Sequence, residues 1–327
     1  MFLSVQGVTR RLSTFRFGKR VKGVEKLARK NVDRFVASRS FVIAIGWSEG
    51  DTPKIALNGQ IMSIQQVTRF FRTDVASHLG KEDKTGFGFK VIALIPSDCP
   101  TNPEYSLIFP DGDVVFNEAI PGENRVDEIF QRFIKMVECH SGDTSLIELG
   151  SRARSGVTYR SNFKDVKKYT GVDIQHGEHV DVVADIHTLS QTITEQYDFA
   201  FSISVFEHLL MPWVAAVELN SVLIEGGLAF IQSHPTWPLH DEPWDFFRFT
   251  KDAWKGLFNE FTGFEVVDAG HGIEASIMPL GIDDDPVFDL EFQRSYLLSC
   301  CLVRKISKPK VSWRCDPSLV CDLEYKF

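Results

Sequence analysis

From Thr144 onward the chain alternates short apolar runs with longer helical stretches, and this alternation restricts the fold more than any other feature. The runs are SLIEL, KYTGVDI, HVDVVAD, YDFAFSISV, LAFIQSH, FEVVDAG and YLLSCCLVRKI. Apolar strands that alternate with helices give a mostly parallel sheet covered on both faces. The expected fold of this half is therefore α/β, and ligands of such sheets bind beyond the carboxyl ends of the strands.

The first of those ends is Gly150-Ser151-Arg152-Ala153-Arg154-Ser155-Gly156, a turn bounded by two glycines. A glycine there lets the backbone approach a ligand, although a purely structural turn explains it equally well. Asp173 closes the second strand 23 positions after Gly150, where a carboxylate can accept hydrogen bonds from ribose hydroxyls. An adenosine-bearing ligand follows. A dinucleotide would need a second glycine at position 152 for close approach of its pyrophosphate, and Arg152 stands there instead. A ligand ending in an amino acid has no such requirement, and Glu148 suits its ammonium group.

In order and spacing, ELGSRARSG, GVD, VVADIHTL, YDFAFSISVFEHL and LIEGGLAFIQSHP resemble the successive motifs of class I S-adenosylmethionine-dependent methyltransferases of the methyltransferase type 11-like kind. The resemblance covers about half the chain. It implies a seven-stranded Rossmann-like methyltransferase domain and S-adenosylmethionine as cofactor. It further implies Glu148, Gly150 and Gly156 around the methionine portion, Asp173 on the ribose, Asp185 and Ile186 near the adenine, and Ser204 close to the sulfonium. Arg152 departs from the small residue many relatives carry. Asp185 also reads as a helix N-cap ahead of His187. Glu207 and His208 resemble a recurrent pair in this family, and capping or packing fits them equally. Gly226-Gly227 reads as the helix stop before the fifth strand.

The fifth strand leads into Ser233-His234-Pro235-Thr236-Trp237-Pro238-Leu239-His240-Asp241-Glu242-Pro243-Trp244-Asp245-Phe246-Phe247-Arg248, which is expected to lie over the ligand end of the sheet. Its aromatics suit a sugar or aromatic acceptor, and a neutral histidine can take the proton that an oxygen acceptor must lose. His240 is the expected general base, oriented by Asp241 or Asp245, with His234 in reserve. The competing reading is a rigid loop in which Trp244, Phe246 and Phe247 are core and Arg248 pairs with Asp245. No metal is expected, because contiguous His240, Asp241 and Glu242 would not all point at one ion.

At 327 residues two domains are expected. Between Phe41 and Phe116 the runs FVIAIGW, KIALNG, GFGFKVIALIP and YSLIFPDGDVVFN, broken by turn residues, read as a smaller β-rich domain. The stretch from Arg69 to Gly80, followed by Gly86-Phe87-Gly88-Phe89, is similar to a β-rich module that accompanies glycosyltransferases and other polysaccharide enzymes. That likeness moves the expected acceptor toward a glycan, and Arg72 and Asp74 read as a structural pair. The expected divisions are a basic extension over 1–40, the β-rich domain over 41–122, a linking helix over 123–142, the methyltransferase domain over 143–308 and a tail over 309–327.

The net charge of -8 conceals nine Lys or Arg between Arg10 and Lys30 against one acid, Glu25. This arm reads as a solvated extension or as a peripheral contact with anionic membrane. The acidic remainder argues against duplex nucleic acid as substrate. No apolar run approaches the roughly 20 residues that span a bilayer, and the six cysteines show no CxxC spacing, so free thiols and a cytoplasmic location are expected. The expected function is O-methylation of a saccharide or glycan intermediate. Its rivals are a non-catalytic glycan-binding or scaffold protein of the same fold and a nicotinamide-dependent oxidoreductase. The oligomeric state is left open.

Overall fold

The computed structural model describes residues 29–38, 40–84, 86–117, 124–140, 142–277, 290 and 293–321. The chain divides into two compact units, Met1–Ala119 and Ile120–Phe327. Among the described residues no helix is long and apolar enough to cross a membrane. Most of the basic arm, residues 10–28, lies outside the described residues. Its last two cations are spent on acids of the first unit: Arg29 pairs with Glu49, and Lys30 with Asp111 and Asp113.

The first unit carries strands β1 (Lys30–Ala37), β2 (Phe41–Ser48), β3 (Lys54–Leu57), β4 (Gln60–Ile61) and β5 (Ile64–Phe70). Helix α1 (Thr73–Leu79) and strands β6 (Gly88–Leu94), β7 (Tyr105–Ile108) and β8 (Val114–Phe116) complete it. They form two four-stranded antiparallel sheets in the orders β1-β2-β6-β5 and β4-β3-β7-β8. Phe35, Val42, Ile55, Phe89, Val91 and Leu107 fill the core. The expected N-terminal extension ends earlier than residue 40, because Lys30–Ala37 is a strand paired along β2. Its alternation of polar and apolar residues is masked in the sequence by the charges around it. Arg72 and Asp74 do pair, at 2.7 Å, and Arg72 also holds Asp33 at 2.7 Å.

The second unit opens with helix α2 (Arg125–Glu138), capped by the Asn124 side chain. Then follow β9 (Ser145–Leu149), β10 (Lys168–Asp173), β11 (Val182–Val183), α3 (Leu189–Thr192), β12 (Tyr197–Ile203), α4 (Pro212–Val222) and β13 (Leu223–Ser233). Helix α5 (Ala253–Leu257), β14 (Phe264–Ala275) and β15 (Ser295–Lys305) close the unit. The seven strands lie in the order β11-β10-β9-β12-β13-β15-β14. Pairing is parallel from β11 to β13, and β15 runs antiparallel to both its neighbours. This is a Rossmann-like sheet, and its order reverses between β9 and β12.

Alternate side chains of each strand feed opposite faces. Ile147, Leu149 and Ala200 pack with Leu189, Leu219 and Trp254 on one side. Leu146, Phe199 and Phe201 pack with Phe130 and Phe133 of α2 on the other. Helix α2, expected as a linker, is therefore a cover of the second sheet. Gly226 and Gly227 do not stop α4, which ends four residues earlier at Val222; they lie within β13, where its register with β12 shifts between Tyr197 and Phe199. The end of α4 is closed by Lys305, whose buried ammonium donates to the carbonyls of Asn220 (2.7 Å) and Leu223 (2.6 Å), a cation where the helix dipole favours one.

Phe133 is fully buried between Phe163, Phe199 and Phe230. Phe133→Ala should cost about 3–5 kcal/mol, read as a lowered urea midpoint for the second unit, whereas the first unit's transition should be unmoved.

Candidate functional site

The carboxyl ends of β9, β10, β12 and β13 open on one cavity of about 900 Å³, a size typical of ligand clefts. Glu148, Gly150, Asp173, Asp185, Ile186 and Ser204 all contribute to its wall. So do His234, His240 and Asp241. Two expected site residues do not. Gly156 closes the first loop by donating its N–H to the Ala153 carbonyl at 2.8 Å, and Asp245 stands behind His240 with 1% of its side chain exposed.

The first loop turns on Gly150, whose φ is +90°. A Cβ there would lie 2.1 Å from Cγ2 of Val205, on the segment after β12. Only glycine permits both the left-handed backbone and this approach. Glu148, two residues earlier, is buried. Burial pushes its carboxyl up, and the hydrogen bond from the Tyr169 hydroxyl and the charge of Arg160 oppose that rise. Asp173 accepts from the backbone N–H of Gln175 (3.0 Å) and of Arg152 (3.3 Å), with Arg152 Nε 3.6 Å from Oδ1. Arg152, the residue that departs from the family pattern, thus folds back on Asp173. A carboxylate offers about four acceptor positions, so capacity for ribose hydroxyls remains.

Asp185 does cap a helical turn: its Oδ1 accepts from the backbone N–H of His187 at 2.8 Å and lies 2.6 Å from His187 Nδ1. The Met211 N–H donates to His187 Nε2 at 3.1 Å, which assigns the ring proton to Nδ1. Burial acts to raise the Asp185 carboxyl, and its hydrogen bonds with the His187 ring and backbone N–H outweigh it, leaving it lowered. Capping and a place on the cavity wall coexist in this residue.

Ser204 stands just past β12 with φ +56°, its hydroxyl 3.2 Å from His234 Nε2. His234 is engaged at both nitrogens, since Nδ1 lies 3.1 Å from the Leu297 carbonyl. A carbonyl only accepts, so Nδ1 carries the proton and Nε2 takes the Ser204 hydroxyl. That leaves His234 poorly suited to a base. Trp237 stacks on its ring at 4.4 Å.

His240 is placed differently. Its Nδ1 faces the Pro238 carbonyl at 3.2 Å and Asp245 Oδ2 at 3.3 Å, both acceptors, so Nε2 holds the lone pair. Of the two carboxylates expected to orient it, Asp245 does so. Asp241 does not: it makes a bidentate pair with Arg154 of the first loop at 2.8 and 2.9 Å. Arg248 grips Asp245 from the far side at 2.5 and 2.7 Å, as the structural reading of the loop requires. Trp244, Phe246 and Phe247 are half-buried; Phe247 packs against the core of the second unit, and Trp244 borders the cavity.

Contiguous His240, Asp241 and Glu242 do not gather, because Asp241 is committed to Arg154 and Glu242 is exposed. Glu207, His208 and His240 do: one potential ligand atom of each lies within 4.8 Å of the others. Arg154 and the tail residues Asp316, Pro317, Ser318 and Cys321 also border the cavity. Their part was not legible in sequence. Arg154 is one of several arginines in a loop, and the tail from Asp316 lies 72 residues or more beyond the other residues of the wall.

No protein-family model matches the chain, and no curated protein matches it. Among solved structures the chain is similar to the YcgJ protein from Bacillus subtilis, at 14% identity over 55% of this chain and 99% of that one, with a TM-score of 0.40. It is similar to a SAM-dependent methyltransferase from Archaeoglobus fulgidus at 15% identity, over 55% of this chain and 94% of that one, with a TM-score of 0.38. A third is the N-methyltransferase NodS from Bradyrhizobium japonicum in complex with S-adenosyl-L-homocysteine, at 13% identity over 57% and 90%, with a TM-score of 0.36.

The loop over residues 233–248 hangs on Asp245, whose carboxyl is held well below its ordinary value by Arg248 against the opposing effect of burial, with help from the His240 N–H. A depressed carboxyl contributes stability that is complete above its unfolded value of about 4 and is lost as pH falls through the folded value. Limited proteolysis should therefore spare residues 233–248 at pH 5 and reach them only well below pH 4. Asp245→Asn should expose the same peptide bonds at neutral pH.

Proposed function

We propose that the second unit is an S-adenosylmethionine-dependent methyltransferase that methylates an oxygen of a saccharide or glycan intermediate. One observation carries the reading: the carboxyl-end residues of successive strands share a cavity wall with a loop rich in histidine and tryptophan. S-adenosylmethionine supplies an electrophilic methyl group on a sulfonium. In this reading Glu148 receives the ammonium, Asp173 the ribose hydroxyls, and Asp185 with Ile186 the adenine. The cavity's chemistry fits such a ligand, with buried carboxylate at the amino-acid end and a glycine turn that admits close backbone approach. Its volume leaves room for an acceptor beside the cofactor.

On the acceptor side, His240 takes the proton of the acceptor hydroxyl at Nε2, while Asp245 and the Pro238 carbonyl hold Nδ1–H. Trp237 and Trp244 offer flat apolar faces with polar edges, which suits a sugar ring. The stretch Arg69 to Gly80, similar to a module that accompanies polysaccharide enzymes, supports the same substrate class. Binding alone, without turnover, is the reading that a scaffold would satisfy, since fold does not guarantee chemistry.

Calorimetric titration with S-adenosylmethionine, S-adenosylhomocysteine and NAD should show binding of the first two only. Asp173→Ala should weaken both by 10-fold or more. In a transfer assay with sugar acceptors, His240→Ala should lower turnover by about 10²–10⁴-fold with cofactor affinity unchanged. Binding of S-adenosylmethionine and S-adenosylhomocysteine that is lost in Asp173→Ala would support the cofactor site; no cofactor binding by the folded native protein would remove the methyltransferase reading and favour the scaffold one.

A further inference from the structure

Glu207 has a chemistry that neither capping nor packing explains. It is fully buried. Its Oε2 accepts from the Ser233 hydroxyl at 2.6 Å, and its Oε1 makes no hydrogen bond. Burial acts to raise this carboxyl and His234, whose Nε2 stands 3.3 Å from Oε1, lowers it; with His234 neutral and its Nδ1–H on the Leu297 carbonyl, that nitrogen brings Oε1 no proton. A buried carboxylate oxygen without a donor is costly, and a cation is the partner that removes the cost.

Two imidazoles stand near this carboxylate, one ring nitrogen of each within 4.8 Å of one of its oxygens. His208 Nδ1 lies 2.6 Å from the Trp244 carbonyl, and His240 Nδ1 faces the Pro238 carbonyl and Asp245. In both rings the proton is therefore on Nδ1 and the lone pair on Nε2. Metal-ligating histidines are held in this way, one nitrogen tied to a carbonyl or carboxylate so that the other is fixed as ligand. The two rings lie 4.8 Å apart between centroids, and both border the cavity.

We propose that Glu207, His208 and His240 form a binding site for one first-row divalent metal ion. Two imidazoles and one carboxylate select zinc, cobalt, manganese or iron over magnesium and calcium, which prefer all-oxygen shells. With bonds of about 2.0–2.1 Å, the three side chains must draw closer together than their present spacing as the ion arrives. His240 is 27% exposed at its side chain, whereas Glu207 is fully buried, so closing the site falls to the histidine side. Three protein ligands leave coordination positions for an oxygen ligand, and a hydroxyl so held becomes more acidic. That last role, activation of the acceptor, rests on the methyltransferase reading; the ion site itself does not. An ion on His240 also takes the lone pair that proton acceptance would need, so the ion replaces the histidine as the activating group.

The test is a titration of the chelator-treated full chain with Co²⁺, followed by its ligand-field absorption, with Zn²⁺ as competitor and S-adenosylhomocysteine binding measured on the same samples. One Co²⁺ per chain is expected, displaced by Zn²⁺ and weakened at least 10-fold in His240→Ala and in Glu207→Gln. Should Glu207→Gln fail to fold, His240→Ala decides alone, because its side chain is partly exposed and its loop keeps the Asp245–Arg248 anchor. Co²⁺ affinity and spectrum unchanged in His240→Ala, or no binding by the folded native chain, would overturn the proposal whatever the result with S-adenosylhomocysteine.

Discussion

Strands β9 and β12 lie side by side while the chain between them runs out to β11 and back, and the candidate site depends on that reversal. At such a switch point the loops after two adjacent strands diverge and leave a crevice. Here the two loops meet where the Val205 side chain lies against the Gly150 backbone, an approach that no side chain at position 150 would allow. Glu148, Asp173, Asp185 and Ser204 come from different strand ends, yet all reach the same cavity because the sheet brings those ends together.

The opposite wall is a loop held by two ion pairs with distinct tasks. Asp245 with Arg248 fixes the loop to itself and sets the His240 tautomer. Asp241 with Arg154 ties it to the glycine turn, so that two walls of the cavity are joined by a bidentate bond. The described part of the tail adds Asp316, Pro317 and Ser318 to the wall, anchored through Arg314 near Glu218 at 3.4 Å. Glycine turn, acceptor loop and tail belong to one enclosure although they are far apart in the chain.

Much of this was legible in sequence. Strong apolar runs identified the strands of the second sheet, and the strand ends carrying Glu148 and Asp173 do line one cavity. Local chemistry misled where a residue had two competent partners. Asp241 is adjacent to His240 in sequence, but Arg154 satisfies it better in space, and Gly226-Gly227 looks like a helix stop although β13 absorbs it as an irregularity. Strand β1 was hidden because its solvent-side residues, Arg34 among them, continue the basic character of the arm. The grouping of Glu207, His208 and His240 required the spatial neighbourhood of two loops 32 residues apart, which no local pattern supplies.

The central claim is that the loops at the carboxyl ends of these strands bind one adenosyl amino acid ligand. Hydrogen–deuterium exchange with and without S-adenosylhomocysteine tests it most directly, since bound ligand orders the backbone it touches. The account predicts slowed exchange in the segments around 150–156, 173–175, 185–187 and 204–208, with the first unit unchanged. Saturating ligand that leaves those four segments as they were, or that slows exchange elsewhere instead, would contradict it.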